Sequence, residues 1–286
     1  MSAAAGAVPP VSAGGWEARL RLRYGPRAGR TVPVSRSHRG PLVVQRPFHP
    51  EGPVCHQYLL HPPGGLVGGD RLHLQATVES GARVLLTTPA ATKCYRSAGP
   101  EAVQIQHLTV APGASLEWLP QDQIAFDGAR LRLLTRVELA GDARFFGWEV
   151  LGLGRRAGNA PFVRGRVHQR LELRRDGRAL LLEGIDATAG SPALAAPWGW
   201  GGRTITGTLV ATPVTGAELE AAREVAAQAP ARGAAVLGCT LVEGCLVVRA
   251  LADEARTVLA AFEALWARLR PPLLGRPACR PRIWNT

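Results

Sequence analysis

HPPGGLVGGDRLHLQATVE, residues 61–79, sets four glycines and Asp70 between a proline pair and a run in which apolar and polar residues alternate. A phosphate cradle needs such a glycine-rich turn to open onto a helix, whose N-terminal N–H groups hold the anion. Here the residues after Gly69 have the period of a strand: Leu72, Leu74, Ala76 and Val78 on one face, Arg71, His73, Gln75 and Thr77 on the other. No GK[ST] follows them. The stretch therefore reads as a tight connection into a strand, with glycines supplying positive φ and Asp70 bonding the turn backbone. A carboxylate facing solvent or a cavity is the functional alternative for Asp70.

The same period of two extends outward. WEARLRLRY (16–24) places Trp16, Ala18, Leu20, Leu22 and Tyr24 opposite Glu17, Arg19, Arg21 and Arg23. Segments 103–110, 131–139, 143–151 and 163–175 repeat the pattern, with Gly, Pro, Asp or Asn in nearly every gap. This predicts a mainly β fold, with a sandwich-like or β-helix-like body of stacked strands over residues 16–200. Beyond it, TITGTLVAT (204–212) predicts a strand, 215–229 a helix opened by a Thr215/Glu218 capping box, 234–251 a hairpin turning at Glu243 and Gly244, and 253–270 a helix stopped by Pro271 and Pro272. Residues 201–270 thus form a smaller α+β unit with two helices, packed on the body. Residues 271–286 form a proline-punctuated tail.

At 286 residues the chain can bury a large core, and with 46% apolar residues no apolar run reaches the roughly 20 that a spanning helix needs. The first fifteen residues lack the basic start and apolar stretch of a secretory signal and read as a disordered tail. Five cysteines without a CxxC pair argue against a disulfide framework, which points to the cytoplasm. The net charge is +12, from 34 basic and 22 acidic residues, and favours acidic partners. The arginines are dispersed through strands rather than blocked, so the pattern of a nucleic-acid binder is missing. Lys93 is the only lysine, a sign that compositional bias shaped much of the chain.

HPPGGLVGGDRL, GARVLLTTPAATKCYRS (81–97), LEWLPQDQIAFDGARLRLLTRVEL (116–139) and GRPACRPRIWNT (275–286), in that order, resemble the UreD family of urease accessory proteins, called UreH in some organisms. The likeness runs from about residue 16 to the C-terminus. It implies a β-helix-like body with two helices and a cytoplasmic scaffold without catalytic chemistry of its own. It also implies partners: apo-urease, the accessory protein UreF and, through UreF, the GTPase UreG. Nickel would be a transient cargo, not a tightly bound cofactor, and the accessory complex would allow a dimer. Neither a nucleic acid nor a membrane is an expected partner.

Members of this family are thought to hold a water-filled passage lined partly by acidic residues, and motif position assigns Asp70, Glu149 and Glu183 here. Glu149 lies in the apolar stretch FFGWEVL, where an unpaired charge costs several kcal/mol unless hydrated or matched by an arginine. A conduit suits weak oxygen donors, because thiolate or imidazole clusters would retain nickel. The histidines are scattered, and no HExxH or GxSxG occurs, so no catalytic residue is assigned. Cys55, His56 and His61 are close in sequence, but on an extended strand His56 and His61, an odd number of residues apart, are expected to face opposite sides. Lys93, Tyr95 and Arg96, with Thr87 and Thr88, form a core or partner-facing motif, while Arg282 and Trp284 are either partner anchors or part of a self-docked tail. The rival classes are a β-helix-type carbohydrate-active enzyme, which needs a carboxylate pair at fixed separation, and a basic nucleic-acid binder, whose affinity would fall steeply with salt.

Overall fold

The computed structural model describes residues 15–155, 160–228 and 235–285. Apart from Gly15, the expected N-terminal tail lies outside them. In chain order the strands are β1 (Glu17–Arg27), β2 (Arg30–Arg39), β3 (Val43–Val44), β4 (Cys55–Leu60), β5 (Gly65–Leu66), β6 (Arg71–Val78), β7 (Arg83–Thr87), β8 (Thr92–Cys94) and β9 (Ala102–Val110). They continue with β10 (Ser115–Leu119), β11 (Gln123–Ala125), β12 (Arg130–Leu139), β13 (Arg144–Leu153), β14 (Arg166–Arg175), β15 (Arg178–Thr188), β16 (Ile205–Thr212), β17 (Val236–Val242) and β18 (Cys245–Ala252). The helices are α1 (Pro192–Ala195), α2 (Gly216–Gln228) and α3 (Ala255–Leu274).

These strands stack as a β-solenoid. A seven-stranded sheet runs β15-β14-β12-β9-β6-β1-β2, and an eleven-stranded sheet carries β17-β18-β16-β13-β10-β7-β4-β3 as its main path. Neighbours in the middle of each sheet are parallel, because each turn of the coil lays one strand on either sheet before advancing. β5, β8 and β11 form a short third side, also parallel. The corner between the two large sheets repeats in sequence: Ala82, Ala114 and Ala143 stack, all essentially inaccessible. Glycines at positive φ turn into each of them, Gly81, Gly113 and Gly141. Asp142 Oδ1 accepts the Gly113 N–H at 2.6 Å and Asp176 Oδ1 accepts that of Gly141 at 3.0 Å, so each corner is tied to the next.

Two cores result. Inward residues of β1, β6, β9, β12 and β14 pack on Leu86, Leu116, Trp118 and Phe145 between the sheets. The other face of the eleven-stranded sheet, including Phe146, Trp148 and Val150, packs under Val258, Phe262, Leu265 and Leu269 of α3. A strand covered on both sides should be apolar throughout rather than alternating, which is why FFGWEVLGL reads as it does.

The mainly β body with a small helical part agrees with the sequence expectation. The strand, helix, hairpin, helix order after residue 200 is also present, and Thr215 N–H donates to Glu218 Oε2 at 2.8 Å in the expected capping box. Because β16 pairs antiparallel with β13, the sheet of this α+β segment is continuous with that of the body. The C-terminal helix differs from expectation: α3 passes through Pro271 and Pro272 to Leu274. Burial of Leu273 and Leu274 holds the last turn in place, and Gly275, at φ 70°, closes it by donating its N–H to Pro271 O at 2.9 Å. The tail therefore contributes a last helical turn, then an irregular stretch, and ends in a 3-10 turn at Arg282–Asn285.

Candidate functional site: an interior cavity with a buried carboxyl group

Between the two large sheets lies a cavity of about 280 Å³. Leucines and Trp118 supply much of its wall, and Gln104, Gln106, Thr135, Glu149 and Gln169 bring polar groups into it from β9, β12, β13 and β14. Glu149 arrives by strand alternation: Trp148 and Val150 pack on the helical side, so position 149 faces inward. Its Oε2 accepts Gln169 Nε2–H at 2.6 Å, and its Oε1 contacts Thr135 Oγ1, which in turn lies 2.6 Å from Gln106 Oε1. Among the described residues no arginine reaches it. Thr135 has a single hydroxyl hydrogen, so a protonated Glu149 donating to Thr135, with Thr135 donating to Gln106, satisfies the chain of oxygens. Burial pushes the Glu149 carboxyl above its ordinary range, and the hydrogen bonds from Thr135 and Gln169 only partly oppose it.

Four residues of the cavity wall carry buried polar atoms without a protein partner: His61 Nδ1, Trp118 Nε1, Gln123 Oε1 and Gln169 Oε1. Each unmet group costs about 1–3 kcal/mol unless water reaches it. A cavity of this size has room for several waters, and these polar groups within an otherwise apolar wall give them partners, so the polar part of the wall suits a hydrated interior. Ala90, exposed at the surface, also lines the cavity and marks an opening.

The other two carboxylates assigned from sequence do not line it. Asp70 Oδ1 accepts the Trp16 N–H at 2.9 Å and Oδ2 the Val67 N–H at 2.8 Å, with Gly64 and Gly69 at positive φ, as the turn reading required. Glu183 is gripped by Arg249, whose Nε and Nη2 donate at 2.7 and 2.6 Å, tying β15 to β18 between the sheet edges. Lys93, Tyr95 and Arg96 are exposed along β8 and the turn after it, where Tyr95 packs against Phe126. Thr87 and Thr88 turn inward instead: Thr87 donates to Leu119 O, and Thr88 Oγ1 accepts the Gln121 N–H. Trp284 docks on its own chain, its Nε1–H donating to Thr87 Oγ1 at 2.8 Å and its ring meeting Trp148 and Trp266; Arg282 is exposed.

Sequence reasoning missed a second buried assembly. Glu51, His56 and Cys279 bring potential metal-ligand atoms within 4.8 Å of one another. Arg270, wholly buried, already supplies a cation there: it donates to both oxygens of Glu51 and both of Glu117, and Trp266 Nε1–H joins Glu117 at 2.6 Å. Burial raises the Glu51 carboxyl, but His56 and Arg270 outweigh it and bring it to about 2. The arrangement is an ion-pair knot joining α3, the tail and the eleven-stranded sheet. Its sequence signal was an arginine on the apolar stripe of a helix.

A solenoid of parallel strands, capped on one sheet by helices, encloses a largely apolar cavity with a few convergent polar groups rather than presenting an open cleft. The family model described as UreD urease accessory protein matches residues 17–285, and the chain belongs to that family. It is 46% identical to the urease accessory protein UreD of Alkalilimnicola ehrlichii, over 97% of this chain and 94% of that protein. It is 44% identical to that of Dechloromonas aromatica, over 97% of both, and 43% identical to that of Citrobacter koseri, over 95% and 92%. Its role accordingly lies in urease maturation, as an accessory protein. Among the described residues no helix is long and apolar enough to cross a membrane.

Proposed function

We propose that this chain is a cytoplasmic, non-catalytic scaffold required for nickel insertion into apo-urease, bridging urease to UreF and to the GTPase UreG, and that nickel crosses its interior cavity. The observation that carries the second part is Glu149: a carboxyl group held without a cationic partner among the described residues, in a largely apolar cavity where Gln106, Thr135 and Gln169 add amide and hydroxyl oxygens. Oxygen donors suit a hard-to-borderline divalent ion in transit, since they bind it weakly enough to release it. Entry of the ion would displace the Glu149 proton, and departure would return it.

Family membership supports the maturation role, and the ion-pair knot and docked tail give the body the rigidity a scaffold needs. The test is to express the host's urease subunits and remaining accessory genes with the wild-type chain, without it, and with Glu149→Gln, then measure urease activity and bound nickel. Loss of both without the chain supports the scaffold; loss with Glu149→Gln while the complex still assembles supports the passage. Full activity without the chain would sink the whole reading.

A further inference from the structure

Among the described residues, the outward face of the seven-stranded sheet touches the cavity lining only at Leu134, and its register is regular. One row across it sets Ile105 and Leu134, half-buried, between His73 beside Arg19 on one side and Arg170 on the other. The neighbouring row begins at Arg21 and ends at Leu182, which is 62% exposed. With strands about 4.8 Å apart, Arg19 and Arg170 stand on the order of 20 Å from each other. Arg136 and Arg166 are neutralised by Glu172 and Asp186, whereas Arg21 and Arg170 are exposed and have no carboxylate partner among the described residues.

We propose that this face docks an acidic protein surface, one that sets carboxylates opposite Arg21 and Arg170 and an apolar patch opposite Ile105, Leu134 and Leu182. The inference rests on the scaffold reading and adds where and how a partner is held. An apolar centre bordered by arginine is the composition of protein interfaces. A nucleic acid fits less well, because a phosphate backbone would leave the apolar centre of Ile105, Leu134 and Leu182 uncovered.

The test measures binding of the full chain to purified apo-urease and to purified UreF as separate probes, at low and high salt, for the wild type, the double variant Arg21→Glu/Arg170→Glu, and Leu182→Asp. Duplex DNA serves as a third probe. We expect one protein probe to bind in a salt-sensitive way, the double variant to weaken it at least about tenfold, and Leu182→Asp to weaken it without removing the salt dependence. Melting temperatures should match, since these side chains are exposed; if charge reversal lowers the melting temperature, Arg21→Gln/Arg170→Gln should still weaken binding. Variants that bind both proteins as the wild type does would overturn the docking face and leave the scaffold standing. Tighter binding of DNA than of either protein would also overturn it. A wild type that binds neither protein would remove the scaffold reading and this inference together.

Discussion

Glu149 and Glu51 are both partly hidden carboxyls, and their surroundings drive them in opposite directions. Among the described residues Glu149 meets only neutral partners, so burial raises it; Glu51 meets Arg270 and His56, so it falls to about 2. The consequences for stability have opposite signs. For Glu149, both folded and unfolded chains hold the proton below the ordinary carboxyl value of about 4.3; above it the unfolded chain releases the proton first, and the fold loses stability as pH rises. Glu149→Gln keeps an acceptor for Gln169 and a donor for Thr135, so thermal melts should show a stability advantage over wild type that grows above about pH 4.3, alongside reduced nickel delivery. A uniform loss at all pH values would mean that the carboxyl group is needed structurally. For Glu51 the contribution is present above about pH 4.3 and lost as pH falls toward 2; Glu51→Gln should flatten the acid limb of the stability curve there. Arg270→Met leaves two buried carboxylates facing each other and should cost about 3–5 kcal/mol in urea unfolding. A cost under about 1 kcal/mol would show that the knot is dispensable.

At the level of elements, the strands were legible because each buries one face and advertises it with a period of two, as in RLHLQATV and RLRLLTRVEL. What the pattern did not disclose was which strands neighbour each other. Parallel pairing joins residues about 30 positions apart, such as Arg71 with Val103, and nothing local records it. The recurring corner alanines were the available trace of the coil. Prolines 271 and 272 misled in the other direction, since tertiary burial of Leu273 and Leu274 overrode a local stop signal. Asp70 was legible as a turn residue, and its two backbone hydrogen bonds join the start of β1 to the turn before β6. Asp70→Ala should therefore destabilise the fold by about 2 kcal/mol by orphaning two N–H groups, with nickel delivery falling only as far as the folded population does. A large loss of nickel transfer at unchanged stability would return Asp70 to the conduit. Trp284→Ala, which empties the space between Trp148 and Trp266, should cost about 2–3 kcal/mol, read as a lower midpoint in denaturant.

Across the whole molecule, charge and cavity divide the labour between the outside and the inside of one sheet. β12 alone shows both: Arg132 and Arg136 point outward, while Leu133 and Thr135 face the cavity. The sequence revealed that alternation but not that opposite strands enclose a void, because a cavity exists only where side chains from distant coils fail to fill the space between them. Glu149 could be picked out as a misplaced charge, whereas its partners Gln106, Thr135 and Gln169 carry no mark of their own in isolation. If nickel crosses this space, obstruction should matter as much as charge. Ala90 stands exposed at the opening, so Ala90→Trp can occupy the mouth without disturbing the buried core or the Glu149 hydrogen bonds. We expect its melting temperature and its assembly with apo-urease to match wild type, while bound nickel and urease activity fall several-fold. The comparison with Glu149→Gln is informative because the two changes share only the cavity. If Ala90→Trp were to load urease fully while Glu149→Gln did not, the carboxyl would act without passage through this opening; if both loaded it fully, nickel would travel by another route.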